Sequence, residues 1–162
     1  VFGDSSNVVR NGSWYGNDTI WRMILDLNKV LFYCDVDGNM GDDLPARRKR
    51  YIGVVDAIYA GEGDGPLSPD FVKMGYLFFG INPVAVDVVC SLFMGFDPEK
   101  ISTISKAFRV KKYPVCDFNL ENVILALRDK EYPVVDVAET EITRFKPQFG
   151  WVDHIESTKT RY

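Results

Sequence analysis

The run Asp56-Ala-Ile-Tyr-Ala-Gly-Glu-Gly-Asp-Gly-Pro-Leu67, followed after a short apolar stretch by Asn82-Pro-Val-Ala-Val-Asp87, decides how this chain is read. An apolar segment from Tyr51 to Tyr59 carries one carboxylate, Asp56. It leads into glycines at 61, 63 and 65, with Glu62 and Asp64 between them. Glycine loses more conformational freedom on folding than any other residue. Its alternation here predicts a loop whose backbone needs positive φ or close approach. Tyr51–Tyr59 reads as a strand, mostly apolar and central in its sheet, and Tyr76–Gly80 as another. Asn82 then predicts a helix cap, with Pro83 at the first helical position, where a missing N–H costs nothing. Val84, Val86, Val88, Val89 and Phe93 leave no polar face apart from Asp87, so this helix is expected to be buried on most sides until Gly95 ends it.

Working outward, Gly12–Gly16 is turn-rich, and either Asn17 or Asp18 is placed to cap a helix. Its apolar positions Ile20, Met23, Ile24, Leu27 and Leu31 recur at helical spacing, beside a polar row of Asp18, Arg22 and Asp26. Asp35–Arg50 is a polar connector ending in Arg47-Arg48-Lys49-Arg50. Asp97-Pro98-Glu99 predicts another helix, to about Phe108, and Val123–Leu127 and Val134–Val137 read as late strands, the first of which also fits a helix. Strands and helices of these lengths predict an α/β or α+β fold, a mixed sheet packed by helices, as one domain over residues 1–162.

The 162 residues are enough to bury a sizeable core, and an apolar fraction of 46% with 14% aromatics describes a folded globular chain. The net charge of −4 argues against a general nucleic-acid surface. Met74–Phe96 is long and apolar enough to suggest a membrane span, but Gly80-Ile-Asn-Pro83 breaks it and Asp87 lies in its second half. No membrane association is expected. Cys34, Cys90 and Cys116 are odd in number and widely spaced, which suits reduced thiols in a cytoplasm. Three cysteines cannot by themselves hold a four-cysteine iron–sulfur cluster. Val1–Asp4 reads like the end of a strand already under way, so the chain is expected to be the C-terminal fragment of a longer protein.

Four stretches could carry chemistry. At the carboxyl end of a strand in an open α/β sheet, Gly61–Pro66 would sit where ligands gather. It is neither a dinucleotide fingerprint nor a phosphate-binding loop. Asp56, Glu62 and Asp64 could hold Mg²⁺ or Ca²⁺ through carboxylate oxygens, and solvated structural acids are the plain alternative. Asp87 on an apolar helix needs a partner, either a ligand or the backbone of a loop. Asp35-Val-Asp37-Gly-Asn39 begins like a calcium loop but has Met40 at its sixth position and Ala46 at its twelfth. Arg47–Arg50 lacks interleaved aromatics and reads as a solvated connector. Asn11-Gly-Ser13 and Asn17-Asp-Thr19 match a glycosylation pattern that matters only in a secreted eukaryotic protein. The single histidine, His154, could transfer a proton but cannot build a multi-histidine metal site.

Gly12–Asn28, Val54–Pro66, Asn82–Asp87 and Met94–Ile101 together resemble the C-terminal part of the bacterial and archaeal family called domain of unknown function 362. The closing Phe149–Glu156 resembles the end of some members. The resemblance implies no agreed activity. It implies a further N-terminal portion; some members carry ferredoxin-type cluster motifs in attached segments, which this chain lacks, so no iron–sulfur role is carried over. The family's motif positions fall here on Asn17, Asp18, Arg22, Asp26, Asp56, Glu62, Asp64, Gly65, Pro66, Asn82, Asp87 and His154. Their grouping into one site is our own expectation. In it Asp56, Glu62 and Asp64 take the metal. Asn17, Asp18, Arg22, Asp26, Gly65 and Asn82 hold a small anionic ligand, Arg22 meeting its charge. Asp56, Asp87 and His154 are the catalytic candidates. Two functions follow: a divalent-metal-assisted enzyme or metabolite-binding domain, or a non-catalytic structural or protein-interaction domain of a larger cytoplasmic protein.

Overall fold

A computed structural model of the chain describes residues 14–40 and 49–157. The strand end at Val1–Asp4, the triplet Asn11–Ser13 and the cations Arg47 and Arg48 lie outside the described residues. Helices and strands are mixed, as expected. Helix α1 spans Ile20–Tyr33, α2 Pro83–Phe93 and α3 Ser102–Ala107. Strands β1 (Gly53–Asp64) and β2 (Ser68–Gly80) form one antiparallel hairpin, and β3 (Ile124–Leu127) and β4 (Lys130–Pro133) a second. The expected mixed sheet is thus two separate hairpins among the described residues.

Three elements differ from the sequence expectation. The strands expected at 51–59 and 76–80 are the base of a hairpin that runs far past both, so that Gly61–Asp64 is strand and only residues 65–67 turn. Pro98–Lys100 is a short 3-10 turn ahead of α3, so the helix expected from Asp97 is split, and Asp97 caps the first piece by accepting from the Glu99 N–H at 3.0 Å. Val134–Asp136 is a 3-10 turn and not a strand.

Helix α2 is the centre of the main core. Val84, Val88, Val89 and Phe93 are buried, and β2 lays Tyr76 and Phe78 edge-on against Phe93, both at 5.1 Å between ring centroids. Helix α1 adds Leu25 and Phe32, and α3 adds Ile104 and Ala107. The Tyr33 hydroxyl donates to the Pro114 carbonyl at 2.7 Å, tying the end of α1 across the core. A smaller cluster of Phe96, Phe145 and Ile155 packs beside the far half of the hairpin, against Ala60, Val72 and Met74.

Two apolar faces are left uncovered. On α1 the buried stripe is Leu25 and Phe32, whereas Ile20, Met23, Leu27, Val30 and Leu31 are exposed. The periodic stripe read from the sequence is therefore mostly the outer one. In the hairpin, Val55 faces Phe78 and Ala57 faces Tyr76 on the inner side, while Val54 faces Phe79 and Asp56 faces Leu77 on the outer side. Val54, Leu77 and Phe79 are 68%, 64% and 69% exposed. An antiparallel sheet with one covered face ordinarily alternates apolar inside with polar outside. This one is apolar on both. No described helix is long and apolar enough to cross a membrane.

Candidate functional site

The expected site residues divide into separate groups. Around the start of α1, the Asn17 carboxamide oxygen accepts from the Thr19 N–H at 2.9 Å and the Ile20 N–H at 3.0 Å, satisfying donors that a helix start leaves open. Asp18 accepts from the Trp21 indole at 2.9 Å and from Arg22 at 2.8 Å. The bond to Arg22, more than any other cause, holds the Asp18 carboxyl below the usual carboxylate range. The Arg22 guanidinium also lies 4.3 Å from the Trp21 ring centroid. Asp26 pairs with Lys29 at 2.8 Å. These residues are engaged with one another along the first turns of α1, as a local polar lattice.

Asp56 and the two acids of the glycine tract lie on one strand but far apart along it. A strand rises about 3.3 Å per residue, so Asp56 and Glu62 are separated by roughly 20 Å. Asp56 turns back on its own backbone, accepting from the Ile58 N–H at 3.1 Å. At the far end of β1, Glu62 accepts from the Lys146 N–H at 2.8 Å, and its other oxygen faces the Lys146 ammonium at 3.5 Å. Asp64 accepts from the Phe149 N–H at 3.5 Å. The three carboxylates therefore do not converge on one point. Among the described residues, no three His, Cys, Asp or Glu side chains gather as a metal-holding group.

The structure instead shows why the glycines are there. The Gly63 N–H donates to the Lys146 carbonyl at 3.0 Å, so Lys146 bonds the strand through both its backbone groups, one of them by way of Glu62. Gly63 has a φ of +72°. A Cβ on Gly61 would come within 2.7 Å of Pro69 across the hairpin. The tract is shaped for the strand edge and for the segment that docks on it, while Gly65 and Pro66 stand exposed at the turn. Lys146 reaches Asp70 at 3.0 Å, and chiefly through that bond its ammonium is held above the usual lysine range.

That docking segment connects the groups. Tyr15 donates its N–H to the Gly150 carbonyl at 3.1 Å, and its ring stacks on His154 at 3.4 Å between centroids. The residues ahead of α1 and the end of β1 thus both lean on 145–155, from different sides. Between the hairpin end and this segment is an open cavity of about 290 Å³, lined by Gly61–Gly63, Phe96, Phe145, Lys146 and Trp151 among others. Sequence reasoning missed Lys146 and the cavity. The signals near it were the glycine tract, which lines the cavity with Gly61–Gly63, and the resemblance of Phe149–Glu156 to a family ending.

The remaining candidates stand elsewhere. Asn82 is buried and fully used, accepting from Val84 and donating to Val115. Of the two partners expected for Asp87, a ligand or the backbone of a loop, the loop is not found: no described residue donates to its carboxyl group. The residue presents an exposed surface, yet partial burial of its carboxyl raises its pKa and is the sole cause. Solvent reaching that surface keeps the stability effect small. Burial first, and then the Asp87 charge, push the neighbouring Cys90 thiol up to about 11, which favours its protonated form at neutral pH.

A pKa raised on folding means that the protonated form is favoured in the folded state. The corresponding stability is fully present below the unfolded aspartate value and is lost as pH rises through the folded one. Asp87→Asn is therefore expected to melt slightly higher than the parent at pH 7, with the difference shrinking towards pH about 3, below the ordinary aspartate pKa of about 3.9. Thermal melts at both pH values check this. A lower melting temperature for the variant at pH 7 would mean that the charged carboxylate has a stabilising partner.

Comparison with curated proteins and with solved structures found no match. Comparison with family models found one, covering residues 6–91, which include α1, the long hairpin and most of α2. That span holds every site position named from the sequence except His154. By that match over more than half its length, the chain belongs to the family described as domain of unknown function (DUF362).

Proposed function

We propose that this chain is a non-catalytic structural and interaction domain, whose long hairpin is completed by a further stretch of polypeptide from the same protein. The observation that carries this reading is the outer face of the hairpin, where Val54, Leu77 and Phe79 stand together and exposed. Large contiguous apolar patches are rare on surfaces that work alone, and they mark contact sites. Two further features support it. Both edges of the hairpin base lack a strand partner among the described residues, and open edges accept added strands. The outer stripe of α1 offers a second apolar surface within the same family-matched span.

The occupant is the N-terminal portion that the family resemblance implies. A segment of the same chain is held at high effective concentration. It can satisfy an apolar face and an open edge together. The chemistry asked of it is an apolar surface with a cation opposite Asp56, the charge set among Val54, Leu77 and Phe79. The metal-assisted reading finds less support, because its three carboxylates are spread along a strand and two of them are bonded to backbone of 146–149.

Phe79→Lys tests the proposal. Its side chain touches little, so the melting temperature of this chain should move by no more than about 0.5 kcal/mol equivalent. Binding of the separately produced N-terminal portion, followed by calorimetry, should weaken more than tenfold. Unchanged binding would overturn the proposal. A titration with Mg²⁺, Mn²⁺ and Ca²⁺ against an Asp64→Ala control decides the other reading, since tight Asp64-dependent binding would restore it.

A further inference from the structure

We infer that the cavity beside the end of β1 is a binding site for a small uncharged aromatic molecule of about two fused rings. The inference is independent of the hairpin-face proposal, because the two surfaces share no residue. Three observations lead to it.

The first is size. An apolar cavity of about 150 Å³ suffices for benzene. This one is about 290 Å³ and opens to solvent between the hairpin and the 145–155 segment. The second is the lining. Phe96, Phe145 and Trp151 bring aromatic faces and edges, and Met94, Ile101 and Ile155 fill in between. Aromatic groups pair in offset or edge-to-face geometry, and such contacts add to what burial alone provides. Methionine adapts to ring edges. The third is charge. The lining holds two charged residues, Glu62 and Lys146, and they face one another at 3.5 Å. One Glu62 oxygen is further occupied by the Lys146 N–H, and the Lys146 ammonium is also bonded to Asp70. An ionic ligand would bring a charge with no free counter-charge in the lining to meet it, which is costly in an apolar site. A neutral ring system meets no such penalty, and the Gln148 carboxamide in the lining, whose oxygen accepts from the Gly150 N–H at 2.9 Å, can donate its amide N–H to a single hydroxyl.

The geometry also predicts how binding would be seen. Gly61 and Gly63 form one wall, and the Gly63 N–H is fixed to the Lys146 carbonyl at 3.0 Å. A ring entering the cavity shifts the amide resonances of Gly61 and Gly63 and the indole resonance of Trp151, and leaves those of α1 unmoved.

The test titrates the full chain with 2-naphthol, 2-naphthoate and 2-naphthylmethylammonium, followed by amide and indole NMR. The expected result is saturable shifts at Gly61, Gly63 and Trp151 with 2-naphthol, and at least tenfold weaker binding of both charged probes. Met94→Trp and Ile101→Trp, each filling the cavity from a different side, should abolish the shifts in whichever variant keeps the parent's melting behaviour. Shifts that map elsewhere on the parent chain, or no saturation, would overturn the inference even if both variants fail to fold. So would persistent binding in a folded, filled variant. Preferential binding of the anion would move the assignment to a carboxylate ligand held by Lys146 and would overturn the uncharged class.

Discussion

Replacing Phe93 by alanine is expected to destabilise the domain by about 3–5 kcal/mol, the range for removing a buried aromatic ring. Phe93 has no exposed surface, and Tyr76 and Phe78 meet it edge-on from β2. Its loss leaves a void at the contact between the hairpin and α2. For a chain of this size, each kcal/mol corresponds to about 2–4 °C in melting temperature, so the transition should fall by roughly 6–20 °C. Phe79→Ala is the control. Phe79 sits one residue from Phe78 on the same strand but points outward, 69% exposed. Its removal should stay within about 0.5 kcal/mol. Two variants of equal effect would mean that the inner and outer faces of the hairpin are not distinguished as described.

How far the fold was legible follows from which signals are local. Helix α2 was legible because its start is written within four residues. Asn82 supplies the acceptor, Pro83 needs no donor, and the valines that follow have no polar face except at Asp87. The hairpin was half legible. Its apolar base reads as strand, but Gly61–Asp64 reads as loop, since glycine and aspartate are depleted in strands. The tract is extended because it pairs with Ser68–Phe71 of β2; Lys146, 84 positions from Glu62, docks on it, and no local pattern announces a contact of that range. Val134–Val137 has strand composition, but it turns at once after Pro133, where a 3-10 turn begins. In α1, periodicity found a real apolar stripe and gave no means of deciding which of two stripes meets the core.

The site was less legible than the fold, for a related reason. The acids, Arg22 and His154 were named from the sequence and Lys146 was not, and the grouping expected of them rested on imagined proximity. Asp56 and Glu62 look close when the tract is imagined as a loop folded back on a strand end. They become distant once the tract is strand, because a strand carries its residues apart at the fastest rate a backbone allows. Asp18 and Arg22, separated by one helical turn, are neighbours in fact and pair with each other. Spacing was informative within a helix and misleading within the hairpin.

Asn82 is where the two readings separate most sharply. As a ligand residue it should be spare in the empty protein, and its replacement should leave stability nearly unchanged. The structure has it buried and saturated instead. Its carboxamide oxygen accepts from the Val84 N–H at 2.9 Å and the Ala85 N–H at 3.4 Å, and its amide nitrogen donates to the Val115 carbonyl at 3.1 Å. It thus caps α2 and ties that cap to the segment after α3. Asn82→Ala strands the two helix N–H groups and removes the bond to the Val115 carbonyl. A lost cap alone costs about 0.5–2 kcal/mol, and a buried group left without its partner about 1–3 kcal/mol. The combined loss is expected at about 2–4 kcal/mol. Asn82→Ser keeps an acceptor for the helix but is too short to reach Val115, so it should recover part of the loss and no more. Denaturant midpoints for the two variants rank them. If alanine and serine are equally damaging, the cap contributes nothing and the tie to Val115 is the whole effect. If neither is damaging, Asn82 is spare after all, and its place among the ligand residues is reopened.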